Sequence, residues 1–173
     1  MASTQDNLMA AFAGESQARN MYTFYAQVAR KEGYHYIAKI FEETALNEMR
    51  HAKDEFRLAG KLGDTAANLR AAISGEDHET KSMYPELAAQ AQAEGNKEAA
   101  VLFRMIAKIE AEHRARYAKI LEMLENGTVY KRDAPIRWKC SVCGYIHEGT
   151  EPPGKCPCCH HPREYYEPEN LQL

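Results

Sequence analysis

Apolar side chains return at alternating steps of three and four residues through most of the first 126 positions, the spacing of helices that each bury one face. One run reads Leu8, Ala11, Glu15, Ala18, Tyr22, Tyr25 and Ala29. A second reads Ile37, Phe41, Thr44, Glu48, His51, Glu55 and Leu58, and a late one Ala99, Phe103, Ile106, Glu110, His113, Tyr117, Ile120 and Leu124. The stretch between them phases as Leu69, Ala72, Glu76, Glu79, Met83 and Leu87, with Ser74-Gly75 and Pro85 expected to interrupt or kink it. Gly33, Gly60 with Gly63, Gly95 and Gly127 follow the four segments, where glycine closes helices, and Asp64 and Asn96 stand where they would cap the third and fourth. The pattern predicts an all-α four-helix bundle over residues 1–127. After it, TVYKRDAPIRW reads as a linker, taken as residues 128–137. Pro135, Pro152, Pro153, Pro157 and Pro162 then exclude long helices, so residues 138–173 form a second, small domain.

Each stripe carries acid in its middle, and the acids repeat. Glu15 and Glu48 are 33 residues apart and Glu76 and Glu110 are 34 apart. Gly-Glu recurs at Gly14-Glu15 and Gly75-Glu76, and Glu-x-x-His recurs at Glu48–His51 and Glu110–His113. The two halves therefore read as copies of one helical hairpin. Glu55, Glu86 and Glu98 are expected to be ordinary solvated acids. The same reading fails for Glu15, Glu48, Glu76 and Glu110, because burying an ionised carboxylate without a partner costs several kcal/mol. Arg19, Arg50 and Arg114 fall beside the stripes rather than on them. Metal cations are the remaining source of positive charge, and carboxylate oxygens with imidazole nitrogens suit Fe(II) or Mn(II). One Glu from each of two helices plus Glu-x-x-His from each of the other two is the ligand pattern of ferritin-like di-iron bundles. At i and i+3, carboxylate and imidazole share one helical face.

All five cysteines lie between Cys140 and Cys159. Cys140-Ser-Val-Cys143 and Cys156-Pro-Cys-Cys159 are two C-x-x-C knuckles separated by twelve residues, a spacing that lets four thiolates enclose one tetrahedral ion. Spacing alone admits zinc as well as iron. Cys158, next to a ligand, is read as a non-ligand thiol. Net charge is −3, with no basic cluster for nucleic acid and no polybasic membrane patch. The N-terminus lacks the pattern of a signal peptide and no stretch has the length of a membrane span, so the expected location is cytoplasmic.

The segments AFAGESQARNMY, NEMRHA, ISGEDHETKSMYPELA and IEAEHRARY, followed by the cysteine domain, resemble the rubrerythrins over nearly the whole chain. Trp138, Cys143-Gly144-Tyr145 and Cys156-Pro157 are similar to the short-loop rubredoxin that this family carries at its C-terminus, with His160 where rubredoxins often place a glycine. The resemblance implies two iron ions held by Glu15, Glu48, His51, Glu76, Glu79, Glu110 and His113, with Glu48 and Glu110 bridging. A third iron would be held by Cys140, Cys143, Cys156 and Cys159. It also implies a ligand exchange between His51 in the reduced and Glu79 in the oxidised state. Tyr22 and Tyr84 would be hydrogen-bond partners near the metals, and His35 and His78 are read as surface residues.

The implied activity is a non-haem peroxidase that reduces hydrogen peroxide to water and protects against oxidative stress. Electrons would come from an NAD(P)H-linked reductase or a rubredoxin, because the chain has no Gly-rich dinucleotide fingerprint. The resemblance further implies a head-to-tail homodimer. Two other readings stay open: ferroxidase and iron storage, or a structural zinc-ribbon module on an inert bundle.

Overall fold

A computed structural model describes residues 2–170 of the chain. Helix α1 spans Thr4–Lys31, α2 His35–Leu58, α3 Thr65–His78, α4 Tyr84–Ala93 and α5 Lys97–Glu125. A π-helical turn, Glu79–Met83, joins α3 to α4 without a break, so the two together form the third of four long helical segments.

The helix ends follow from local chemistry. Asp64 accepts from the Ala67 amide at 2.8 Å and Asn96 from the Ala99 amide at 3.1 Å, as their positions predict. At the start of α1, Ser3 and Asp6 make a reciprocal capping box that the apolar pattern did not disclose. All four segments end in the same way. Gly33, Gly60, Gly95 and Gly127 have positive φ, and the next residue's amide reaches back to the carbonyl of Ala29, Phe56, Ala91 or Met123, respectively. The internal repeat thus extends to the helix stops.

The helix α3–α4 is not broken at Ser74-Gly75. The irregularity lies later, at the π turn, where the Tyr84 amide bonds to the Glu79 carbonyl five residues back. Pro85 comes directly after it. A proline cannot donate to the carbonyl four residues earlier and its ring crowds that carbonyl, and one wide turn relieves the conflict while the helix continues.

By its contacts the chain divides into two compact units, residues 1–63 and 64–173. In the first, α1 packs antiparallel on α2. Ala26, Ala29 and Ala38 are buried at that crossing, with Phe41 packed against them. Arg30 and Glu42 pair across the same helices. In the second unit, α3 and α4 pack along α5, with Ala88, Ala91 and Ala100 buried.

The second unit also contains the cysteine domain, a three-stranded antiparallel sheet in the order β2-β1-β3, with β1 Ile136–Cys140, β2 Ile146–Gly149 and β3 Tyr166–Pro168. Trp138 and Cys140 alternate inward from the central strand and are fully buried. The buried Trp138 indole N–H is satisfied by the Gly149 carbonyl at 3.0 Å.

Small side chains at the α1–α2 crossing let the backbones approach, so bulk there should be poorly tolerated. Ala38→Leu is expected to destabilise the protein by about 1–3 kcal/mol, read as a lowered urea midpoint at unchanged m-value.

Candidate metal centres

Two groups of carboxylate and imidazole arise from the repeated hairpins, one in each unit. In the first, α1 supplies Glu15 and α2 supplies Glu48 and His51, and their ligand atoms all lie within 4.8 Å of one another. His51 Nδ1 stands 2.9 Å from Glu48 Oε2 and 3.8 Å from Glu15 Oε1. In the second, α3 supplies Glu76 and α5 supplies Glu110 and His113. His113 Nδ1 stands 2.7 Å from Glu110 Oε2 and 3.6 Å from Glu76 Oε1. The i, i+3 spacing sets the shorter distance in each group, and helix pairing sets the longer.

Close carboxylates shift each other's titration. The Glu15 carboxyl is raised above its ordinary value by its hydrogen bond to Glu48, then by burial and by the Glu48 charge. Glu76 is raised first by burial and then by the Glu110 charge. Both groups favour a proton, or a cation standing in its place.

Glu79 lies outside these triads. It opens the π turn, and its charge still reaches Glu76 and Tyr84. The Tyr84 hydroxyl is held above its usual range by burial and by the charges of Glu79, Glu110 and Glu76. Its ring packs beside Phe103 at 6.1 Å between centroids. Tyr22 sits in an aromatic group with Tyr25 and Phe41, at 6.3 and 6.2 Å. His35 and His78 are exposed.

Glu55 departs from the expectation of a freely solvated acid. One of its carboxylate oxygens is buried without a hydrogen-bond partner, and its charge acts on Glu15. It lies one turn beyond His51 on the same stripe. The signal was there in the spacing, but its place near the helix end obscured it.

In the cysteine domain the sulfurs of Cys140, Cys143, Cys156 and Cys159 form one cluster. Cys140 Sγ is 3.7 Å from Cys159 Sγ, and Cys143 Sγ is 3.7 Å from Cys156 Sγ. A disulfide would need about 2 Å. A tetrahedron of sulfurs around an ion at about 2.3 Å has edges of about 3.8 Å, which the two 3.7 Å pairs match, and all four sulfurs lie within 4.8 Å of one another. Cys158 is exposed and outside the cluster.

The knuckles supply amide donors in matching sets. Cys140 accepts from the Cys143 and Val142 amides and Cys143 from Tyr145. Cys156 accepts from Cys159 and Cys158, and Cys159 from His161. Burial alone would raise the Cys156 thiol, but the Cys159 amide, the Tyr166 hydroxyl and the Cys158 amide outweigh it and bring it down to about 6. Cys140 is lowered as well, while burial and the neighbouring thiols raise Cys143 and Cys159, so thiolate character is concentrated on the two buried sulfurs. The turns after each knuckle need a left-handed residue, and Gly144 has φ 77°. His160 takes the equivalent place with φ 64°, a conformation that costs an L-residue more than it costs glycine.

Comparisons with known proteins match both parts of the chain. The family model described as Rubrerythrin matches residues 6–121, and the one described as Rubrerythrin, rubredoxin-like domain matches residues 138–167. The rubrerythrin of Porphyromonas gingivalis is 48% identical, over 95% of this chain and 89% of that protein. The rubrerythrin of Nitratidesulfovibrio vulgaris is 41% identical, over 95% and 93%. The nigerythrin of the same organism is 36% identical, over 95% and 85%. Together with the donor sets, these matches identify iron as the fitting cofactor for both the Glu/His groups and the four cysteines.

The raised carboxyls fix the sign of a pH effect. A carboxyl whose pKa is higher in the folded than in the unfolded chain stabilises the fold while protonated and ceases to do so as pH rises through its folded value. Metal-free protein should therefore lose thermal stability as pH rises from the ordinary Glu value of 4.5 through the raised values of Glu15 and Glu76. Anaerobic Fe(II) should reverse the loss above that range. Melting temperature against pH, with and without Fe(II), checks both halves of the expectation. Glu110→Ala should lower the iron content of the helical part while leaving the four-cysteine iron in place, measured by metal analysis.

Proposed function

This chain belongs to the rubrerythrin family, and from that premise we propose that it is a peroxidase reducing hydrogen peroxide to two waters. Two electrons and two protons are consumed per peroxide. The electrons would enter one at a time through the Fe(Cys)4 centre from an NAD(P)H-linked reductase or a rubredoxin. The observation that carries the reading is the presence, in one chain, of two matching carboxylate–imidazole triads and a four-thiolate cage.

In this proposal, Glu15, Glu48, His51, Glu76, Glu79, Glu110 and His113 form the ligand set of two iron ions, and Cys140, Cys143, Cys156 and Cys159 hold a third. When bound, the two irons supply a two-electron store and Lewis acidity toward the O–O bond. The chain's own residues do the rest. Glu48 and Glu110 stand 2.9 and 2.7 Å from the Nδ1 atoms of His51 and His113, so in each triad carboxylate and imidazole converge where one ion would be held. Tyr84, kept protonated by burial and nearby acids, can donate a hydrogen bond or a proton at neutral pH. Glu79 sits on the π turn, where the backbone departs from regular α geometry. Such turns are frequent at functional sites, and this one supports its role as the ligand exchanged with His51. Tyr22 would serve with Tyr84 as a hydrogen-bond partner near the metals.

The bundle domain is taken as residues 1–127, the linker as 128–137 and the rubredoxin-like domain as 138–173. A metal cage built from four cysteines suits a reducing compartment, which supports a cytoplasmic location. A head-to-tail homodimer, in which one copy's Fe(Cys)4 centre serves the other's two-iron centre, completes the proposal.

Anaerobically reduced protein should be reoxidised by peroxide with loss of two electrons from the bundle irons per peroxide, followed optically alongside metal analysis. A colourless protein containing zinc and no iron would sink the reading. Cys143→Ser should abolish reduction through the donor chain, while chemically reduced bundle iron still reacts with peroxide. Serial dilution adds a separate check on assembly: turnover should fall as the protein dissociates, and a monomer with full turnover excludes the dimer arrangement.

A further inference from the structure

Among the described residues outside the two sets of ligands, two buried polar atoms beside the cysteine cage have no hydrogen-bond partner, His161 Nδ1 and the Tyr166 hydroxyl, and the hydroxyl is the one that belongs to the cage's buried core. Tyr166 opens β3, is 4% exposed, and pairs across the ladder with Cys140. It belongs to one buried cluster with Trp138, Cys140 and Cys156, against which Cys159 also packs. Its hydroxyl is fully buried and has no hydrogen-bond partner. A hydroxyl removed from water must find an acceptor or carry the cost of desolvation. The Trp138 N–H is already satisfied by Gly149 and is in any case a donor. Sulfur is what remains in the cluster, and Cys156, fully buried, packs in it with Tyr166.

We propose that the Tyr166 hydroxyl donates a hydrogen bond to the Cys156 thiolate of the metal-loaded site and thereby tunes the redox equilibrium of that centre. The amide donors are otherwise matched between the knuckles: two to Cys140 and one to Cys143, two to Cys156 and one to Cys159. Tyr166 adds a side-chain donor on one side only. When Fe(III) takes one electron to become Fe(II), the cage gains one negative charge, and part of it resides on sulfur. A donor aimed at that sulfur stabilises the reduced state more than the oxidised one. Tyr166 is thus a positioning and tuning residue, and the inference rests on iron in the cysteine cage and not on peroxide as substrate.

Tyr166→Phe removes one oxygen and keeps the ring. In the iron-loaded full chain, an equilibrium reductive titration of the Fe(Cys)4 centre should show its reduction constant lowered about threefold to tenfold, where tenfold corresponds to about 59 mV for one electron. The sulfur-to-iron charge-transfer bands should shift with it. An unchanged potential with intact iron loading overturns the proposal. Because the variant could lose the cage altogether, the wild-type chain loaded with 113Cd supplies a second test. The Tyr166 hydroxyl proton should exchange slowly and show scalar coupling to the metal through Cys156 Sγ. A hydroxyl proton that exchanges at the solvent rate and shows no coupling overturns it as well. Unaltered peroxide reactivity of chemically reduced bundle iron in the variant would keep this result separate from the proposed function.

Discussion

Like charges held close repel, and in each helical hairpin the packing of the two helices brings two carboxylates within 4.8 Å of each other. Glu15 beside Glu48, and Glu76 beside Glu110, are positioned by helices whose stops and small-residue crossings are themselves repeated. Metal-free, these acids resist ionisation, as the raised Glu15 and Glu76 show. The rigid scaffold converts that repulsion into affinity for a cation, since a site that costs stability when empty and ionised recovers it on binding. The imidazoles, held 2.9 and 2.7 Å from their helix partners, complete donor sets suited to iron.

The cysteine domain meets the same electrostatic problem with a different device. Four thiolates around one ion leave net negative charge in a half-buried cluster, and the chain answers with amide N–H groups that bond each sulfur. The donors are backbone because a C-x-x-C turn presents them automatically, at the expense of a left-handed residue after each knuckle, Gly144 on one side and His160 on the other. The oxygen and nitrogen donors of the helices and the sulfur donors of the sheet are thus confined to separate structural contexts. Each context can hold iron in a chemically distinct form.

Much of this was legible because periodicity and spacing are local properties. A three-four stripe places Glu48 and His51 on one face whatever else the chain does, and Asp64, Asn96 and the four glycines act within a single turn. Glu55 was misread for a related reason: its stripe was visible, but whether a residue near a helix end meets solvent depends on what packs there. The π turn lay beyond a reading based on α-helical phase. Pro85 signalled a disturbance, whereas the choice of a wide turn at Glu79–Met83 over a kink at Ser74-Gly75 depends on how the helix continues along α5.

The sequence by itself determined the helical hairpins, the repeat, the ligand types and the C-x-x-C pairs, since each is a relation among residues no more than a few turns apart or an identity of pattern between halves. Tertiary structure alone decided which helices bring Glu15 to Glu48 and Glu76 to Glu110, that the four sulfurs gather in one cluster with two pairs at 3.7 Å, and that Tyr166 packs in one core with Cys156. Those are distances between segments remote in the chain, and packing rather than periodicity sets them.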